Sequence, residues 1–191
     1  MKRFLLILLA LLTVTSLCAC GNNNEGEVIT ADGQKVAGRE AGNPAVDYSF
    51  AYPEEWTVAR NDGVVEIQTD CNLSDAVAEY ATVTVLAFTL PEGVETAKQY
   101  WESQEQDTAS VMTEYKLLDT KEYTEAEQYL DDTPAMKVKY SGKMNGRTYI
   151  SDQIICCRYG EVYLITLVVP EEYYESVSSV VSVVKDSFKF R

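Results

Sequence analysis

The chain of 191 residues contains no histidine. That removes the commonest general base and the commonest transition-metal ligand together. It also excludes any Ser–His or Cys–His nucleophilic pair. No Gly-rich phosphate loop occurs, no CxxC pair, no EF-hand pattern and no internal repeat. Basic residues are in the minority, 16 against 30 acidic, for a net charge of −14. A surface of that sign repels phosphate backbones, which disfavours nucleic acid as a partner. It equally repels anionic lipid headgroups, so any hold on a membrane must come from an anchor. Two uses of the acidity stay open: solubility, or attraction of a cationic partner or divalent cations. Thirty acids also single out no carboxylate pair for glycoside hydrolysis.

The chain has one long apolar run. Met1-Lys2-Arg3 makes a short basic start, and Phe4 to Val14 is continuously apolar apart from Thr13. The run is too short to cross a bilayer as a helix, which takes about 20 residues. It has the layout of a signal segment: basic start, apolar middle, small residues at a cleavage point. Leu17-Cys18-Ala19-Cys20 resembles the bacterial lipobox, in which cleavage falls before the last cysteine and its thiol takes a diacylglyceryl group. Cys20 fits with Leu17 three residues ahead, whereas Cys18 would place Thr15 at the leucine position. The resemblance implies a leader over 1–19, lipidation (diacylglyceryl and palmitate) at Cys20, and an extracytoplasmic location at the cell membrane. A two-chain lipid group gives stable anchoring where one chain is marginal.

Residues 20–45 are rich in Gly, Asn, Glu and Ala, with Val28, Ile29 and Val36 isolated among them. This composition predicts a flexible tether reaching roughly 25–30 Å. About 145 residues remain, enough for one domain over 46–191 that buries roughly two-thirds of its unfolded surface.

Within that domain Tyr48 to Tyr52 alternates and stops at Pro53, which predicts a strand. Asn61-Asp62-Gly63 leads into a second at Val64–Ile67, and Ala81 to Leu90 reads as a well-buried third. Val94, Ala97 and Trp101 follow helical spacing, predicting a helix over 94–108. Met112 to Thr124 is strand-like, and Pro134 to Lys143 alternates. Asn145-Gly146 marks a two-residue type I′ hairpin. That turn sets a register with Tyr140 facing Ser151, Lys139 facing Asp152, Val138 facing Gln153 and Met136 facing Ile155. Lys139 and Asp152 make a sensible cross-strand contact. Arg158-Tyr159-Gly160-Glu161 is a second tight turn, and Val162 to Val169 a central strand. Tyr173, Val177, Val180, Val181, Val184 and Phe188 then line one face of a last helix. Valine is a mediocre helix former, so this helix depends on docking. The sum is an α+β fold: an antiparallel meander flanked by helices.

The opening Phe50-x-Tyr52-Pro53-x-x-Trp56, the hairpin through Tyr140, Asn145-Gly146 and Tyr149, the strand Val162-Tyr163-x-Ile165-Thr166 and the closing Ser187-Phe188-Lys189 resemble the PsbP/Mog1-type domain. The resemblance runs over about 46–190. It implies a central antiparallel sheet with flanking helices, a binding or assembly role, and no catalysis. Metal sites of the photosynthetic members use histidines, so no metal, cofactor or binding residue carries over.

The remaining cysteines are Cys71, Cys156 and Cys157. Adjacent strand residues point to opposite faces, which disfavours a Cys156–Cys157 bridge. Cys71 with Cys156 or Cys157 stays open, as does a set of three packed thiols. Asp70, Asp75 and Glu79 could hold Ca²⁺ or simply form a solvated face. The 13 tyrosines all follow residue 47. Tyr48, Tyr52, Tyr140, Tyr149, Tyr159 and Tyr163 build either a core edge or a recognition patch. The expectation is a membrane-held accessory or binding module, non-enzymatic, for a protein partner in the envelope. The alternative is a receptor for a sugar or a divalent cation.

Overall fold

A computed structural model describes residues 25–29, 35–71, 80–123 and 130–191. Eleven strands appear among them: β1 (Glu25–Ile29), β2 (Lys35–Ala41), β3 (Tyr48–Pro53), β4 (Thr57–Asn61), β5 (Val64–Asp70), β6 (Tyr80–Thr89), β7 (Thr113–Tyr123), β8 (Ala135–Met144), β9 (Arg147–Arg158), β10 (Glu161–Pro170) and β11 (Lys189–Phe190). The helices are α1 (Ala97–Ser110), a 3₁₀ turn (Glu171–Tyr173), α2 (Tyr174–Val177) and α3 (Ser179–Ser187). The large sheet runs β4-β5-β6-β10-β9-β8-β7 and a small one β1-β2-β3-β11. All pairs are antiparallel. The whole is one α+β domain.

Side chains alternate across the large sheet and so build two cores. On one face Val65, Ile67, Val83, Val85, Ile154, Ile165 and Leu167 pack under β3 and α3. β3 contributes Tyr48, Phe50 and Tyr52; α3 contributes Val180, Val181 and Val184, with Phe188 just beyond. On the other face Val138, Tyr140, Ile155, Val162 and Leu164 meet Tyr100 and Trp101 of α1. The start of α1 has a local cause: Thr96 accepts from Gln99 N–H, and the Gln99 side chain accepts from Thr96 N–H. That reciprocal cap satisfies two donors that the first turn leaves open.

The Asn145-Gly146 turn has φ of 52° and 83°, the left-handed pair a type I′ turn requires. The register it predicts is the register observed: Tyr140 opposite Ser151, Lys139 opposite Asp152, Val138 opposite Gln153, Met136 opposite Ile155. Lys139 stands directly across from Asp152 as expected, but the ion pair of Asp152 is with another lysine. Asp152 takes the diagonal Lys137, Nζ to Oδ2 3.0 Å, while Lys139 Nζ stands 4.8 Å above the Tyr174 ring. Tyr174, carried in by α2, gives Lys139 another partner that no strand pattern shows.

Three further differences concern elements. Residues 35–41, expected as part of the tether, form β2 and pair with β3, Ala41 opposite Phe50. Ala41 is 2% exposed, so the ordered chain begins ahead of Val46. β1 pairs in turn with β2. A strand held by backbone bonds to an existing neighbour needs little apolar content of its own. The structure also adds two short strands, β4 and β11. The last helix arrives as a 3₁₀ turn, one turn of α2 and then α3. Its apolar stripe is nevertheless the buried one, joined by Val183.

Candidate functional site

Cys20 lies outside the described residues, as do Asp75 and Glu79. Of the tyrosines singled out, Tyr48, Tyr52, Tyr140 and Tyr163 are buried and Tyr149 half-buried, while Tyr159 is 91% exposed. Most of the set is therefore core, held by ring contacts. Tyr48 stacks on Phe188 with centroids 5.5 Å apart, and Trp101 on Tyr140 at 5.6 Å. The Tyr48 hydroxyl donates to Val85 C=O at 2.7 Å.

The three described cysteines are free thiols. Burial pushes Cys156 up to about 12 and Cys157 up to about 11, and it also raises Cys71. A thiol so shifted stays protonated at neutral pH and is a poor nucleophile. No cluster of three or more Cys, Asp and Glu side chains suited to a metal ion occurs among the described residues.

Two buried carboxylates stand out. Glu66, 8% exposed, shares its face of the sheet with Thr84, Thr166 and Gln153, each opposite the next across four strands. Gln153 Nε2 donates to Thr166 Oγ1 at 2.9 Å. Burial raises the Glu66 carboxyl above its ordinary value, against the opposing charge of Arg60 and a hydrogen bond from Thr84. Asp152 lies on the opposite face, 1% exposed. Tyr174 OH donates to its Oδ2 at 2.7 Å, and no described donor reaches Oδ1. Both are internal polar links between packed elements.

The candidate site is at one end of the large sheet. There the β4–β5 turn, the segment 42–47 and the β9–β10 turn meet. Ala45, Val46, Asp47, Tyr48, Gly63, Ala87 and Glu161 line an open cleft of about 300 Å³. Tyr163 OH donates to Asp47 Oδ2 at 2.6 Å and lies 3.0 Å from Glu161 Oε2. Burial and these two carboxylates push the Tyr163 phenol well above its ordinary value, so it remains a donor. At the tip beside the cleft, Arg158 lays its guanidinium 4.1 Å from the Phe190 ring centroid and 4.7 Å from that of Tyr159. Tyr159 has φ 50° and Gly160 φ 80°, the same turn type as Asn145-Gly146. Asn suits the left-handed first position; a bulky tyrosine does not. The turn was legible in the sequence. The outward direction of its tyrosine was not, because four of the six tyrosines singled out above point inward.

No family model matches the chain, and no curated protein does. Among solved structures it is similar to cyanobacterial PsbP from Synechocystis sp. PCC 6803. The identity is 15%, over 92% of this chain and 99% of that one, with a TM-score of 0.53. It is also similar to LpqN of Mycobacterium tuberculosis, described as involved in cell envelope biogenesis. Here the identity is 14%, over 88% of this chain and 91% of that one, with a TM-score of 0.56. The two-faced antiparallel sheet, its helices and these full-length likenesses together give the chain a PsbP-like α+β fold.

Proposed function

We propose that this protein is a lipid-anchored accessory or binding module on the extracytoplasmic face of the cell membrane. It serves a protein partner in the envelope and performs no catalysis. The observation that carries the reading is Leu17-Cys18-Ala19-Cys20 behind a basic and apolar leader. Two further points support it. LpqN, with a similar fold, is described as involved in cell envelope biogenesis. The described thiols are buried or half-buried and protonated, and histidine is lacking, so no thiolate nucleophile and no imidazole base is at hand among the described residues.

The test is expression of the full chain in a bacterial host, mass analysis of the leading peptide, and crosslinking in intact cells. A diacylglyceryl group on Cys20 and a reproducible envelope crosslink are expected. A mature protein released without lipid refutes the anchor; an anchored protein with no crosslinked neighbour refutes the partner. The second reading, a receptor for a sugar or divalent cation, has the Asp47–Glu161 cleft in its favour. A cation held there at 100 times its Kd adds about 2.7 kcal/mol of stability, readable as a thermal shift with CaCl₂ or MgCl₂.

A further inference from the structure

We propose that the end of the molecule carrying Tyr159 faces the membrane, with the Tyr159 ring seated in the lipid headgroup layer. This rests on the anchoring at Cys20 proposed above and names the surface that the anchor turns toward the bilayer.

The stalk ahead of β1 is short. β1 starts at Glu25, five residues after Cys20. Five residues reach about 18 Å at most when fully extended. A domain on so short a leash has one end held at the membrane, where a 25-residue coil would let it tumble.

The strand pairing fixes which end that is. Glu25 pairs with Arg39, near the close of β2, so the chain enters β1 from the side of Ala41 and Gly42. The same side holds the segment 42–47, which the Asn43 side chain ties to Asn61 O at 2.6 Å. Val46, Asp47, Gly63 and Glu161 meet there in the cleft, and Glu161 begins β10 directly after the Tyr159-Gly160 turn. The opposite end carries the Asn145-Gly146 turn and the β10 exit at Pro170.

The chemistry of the tip points the same way. Tyr159 is 91% exposed, in a backbone position that suits Asn or Gly better. Arg158, close to both the Tyr159 and the Phe190 ring, places a guanidinium beside it. Tyrosine is enriched at membrane–water interfaces, where the ring meets the acyl boundary and the hydroxyl stays wet. A guanidinium at that depth can hydrogen-bond lipid phosphate. The carboxylates of Asp47 and Glu161 nearby keep this contact weak on its own, which makes it an orienting contact that depends on the anchor.

The experiment uses the full acylated chain in phosphatidylcholine vesicles doped with a headgroup-nitroxide phosphatidylcholine. Two variants are compared: Tyr159→Trp, and Glu171→Trp at the far end, where Glu171 is exposed. The native Trp56 and Trp101 are 2% and 4% exposed and shielded from the quencher. The expected result is at least a twofold greater loss of the added emission in Tyr159→Trp than in Glu171→Trp. Equal quenching in a protein shown by mass to carry the lipid overturns the orientation and leaves the anchor standing. A leading peptide without lipid overturns the anchor, and the orientation with it.

Discussion

Gly142 shows how tightly one position can be specified by its surroundings. A Cβ there would lie 2.7 Å from both Cβ and Sδ of Met112, and the Met112 Cβ sits too near the backbone to swing away. Gly142→Ala is expected to cost about 1–3 kcal/mol by overpacking. In a urea-denaturation double-mutant cycle with Met112→Ala, the double mutant should cost less than the sum of the two single costs. Strict additivity would show that the two residues do not meet.

Asp131 makes a second residue-scale case. Its carboxylate accepts from Lys189 Nζ at 2.6 Å and from Phe190 N–H at 2.9 Å, tying the 130–133 turn to β11. Burial pushes this carboxyl up, but the hydrogen bonds from Lys189 and Phe190 and the charges of Lys189 and Arg158 outweigh it and hold it below its ordinary value. A depressed carboxyl adds stability that is present above the unfolded-state pKa and lost as pH falls through the depressed value. Asp131→Asn should therefore cost about 1 kcal/mol at pH 7, with the gap from the parent closing toward strongly acid pH. Both residues tolerate the left-handed φ of 45° at this position, so the comparison isolates the charge. A gap that persists unchanged in acid would assign the effect to shape instead.

At the scale of elements, α3 is the clearest dependence on docking. Four of its nine residues are valines, and Val180, Val181, Val183 and Val184 are all at most 2% exposed. β-branched residues stiffen a helix without favouring it, so packing against β3 and the large sheet holds α3 in place. Val181→Asp, an unpaired charge in that interface, should cost at least about 3 kcal/mol and abolish a cooperative melt at 37 °C. Thermal unfolding by circular dichroism decides it; an unchanged midpoint would remove α3 from the core. The stripe was readable from spacing because only one face of the helix is apolar. The division at Ser178 was not: there Val181 N–H bonds Ser178 C=O three residues back, a local tightening that residue spacing does not show.

For the whole molecule the telling feature is where the fold begins. A chain starting at Val46 lacks β2 and leaves the β3 edge open, with Phe50 and Tyr52 losing the neighbours opposite them. Such a chain should melt several degrees below one starting at Glu25, since 1 kcal/mol moves the midpoint of a domain this size by about 2–4 °C. Equal midpoints would return residues 25–45 to the role of a spacer. The −14 charge acts on this scale too. A surface of that sign repels anionic partners, and on the function proposed above any hold on a membrane would fall to the lipid at Cys20.

Sequence by itself determined whatever depends on near neighbours. The Asn145-Gly146 turn dictated a register because φ > 0 at both positions admits one hairpin geometry, and the β8–β9 pairing followed residue by residue. The α+β class followed from alternation in the strands and a 3.6-residue period at the end. Tertiary structure decided what no local pattern carries. It recruited β2 into the small sheet, gave Asp152 to Lys137 in place of Lys139, and buried Tyr48, Tyr52, Tyr140 and Tyr163 while turning Tyr159 outward. A tyrosine is amphipathic and a short strand needs only a partner's backbone. The fate of each is settled by what lies across from it in space.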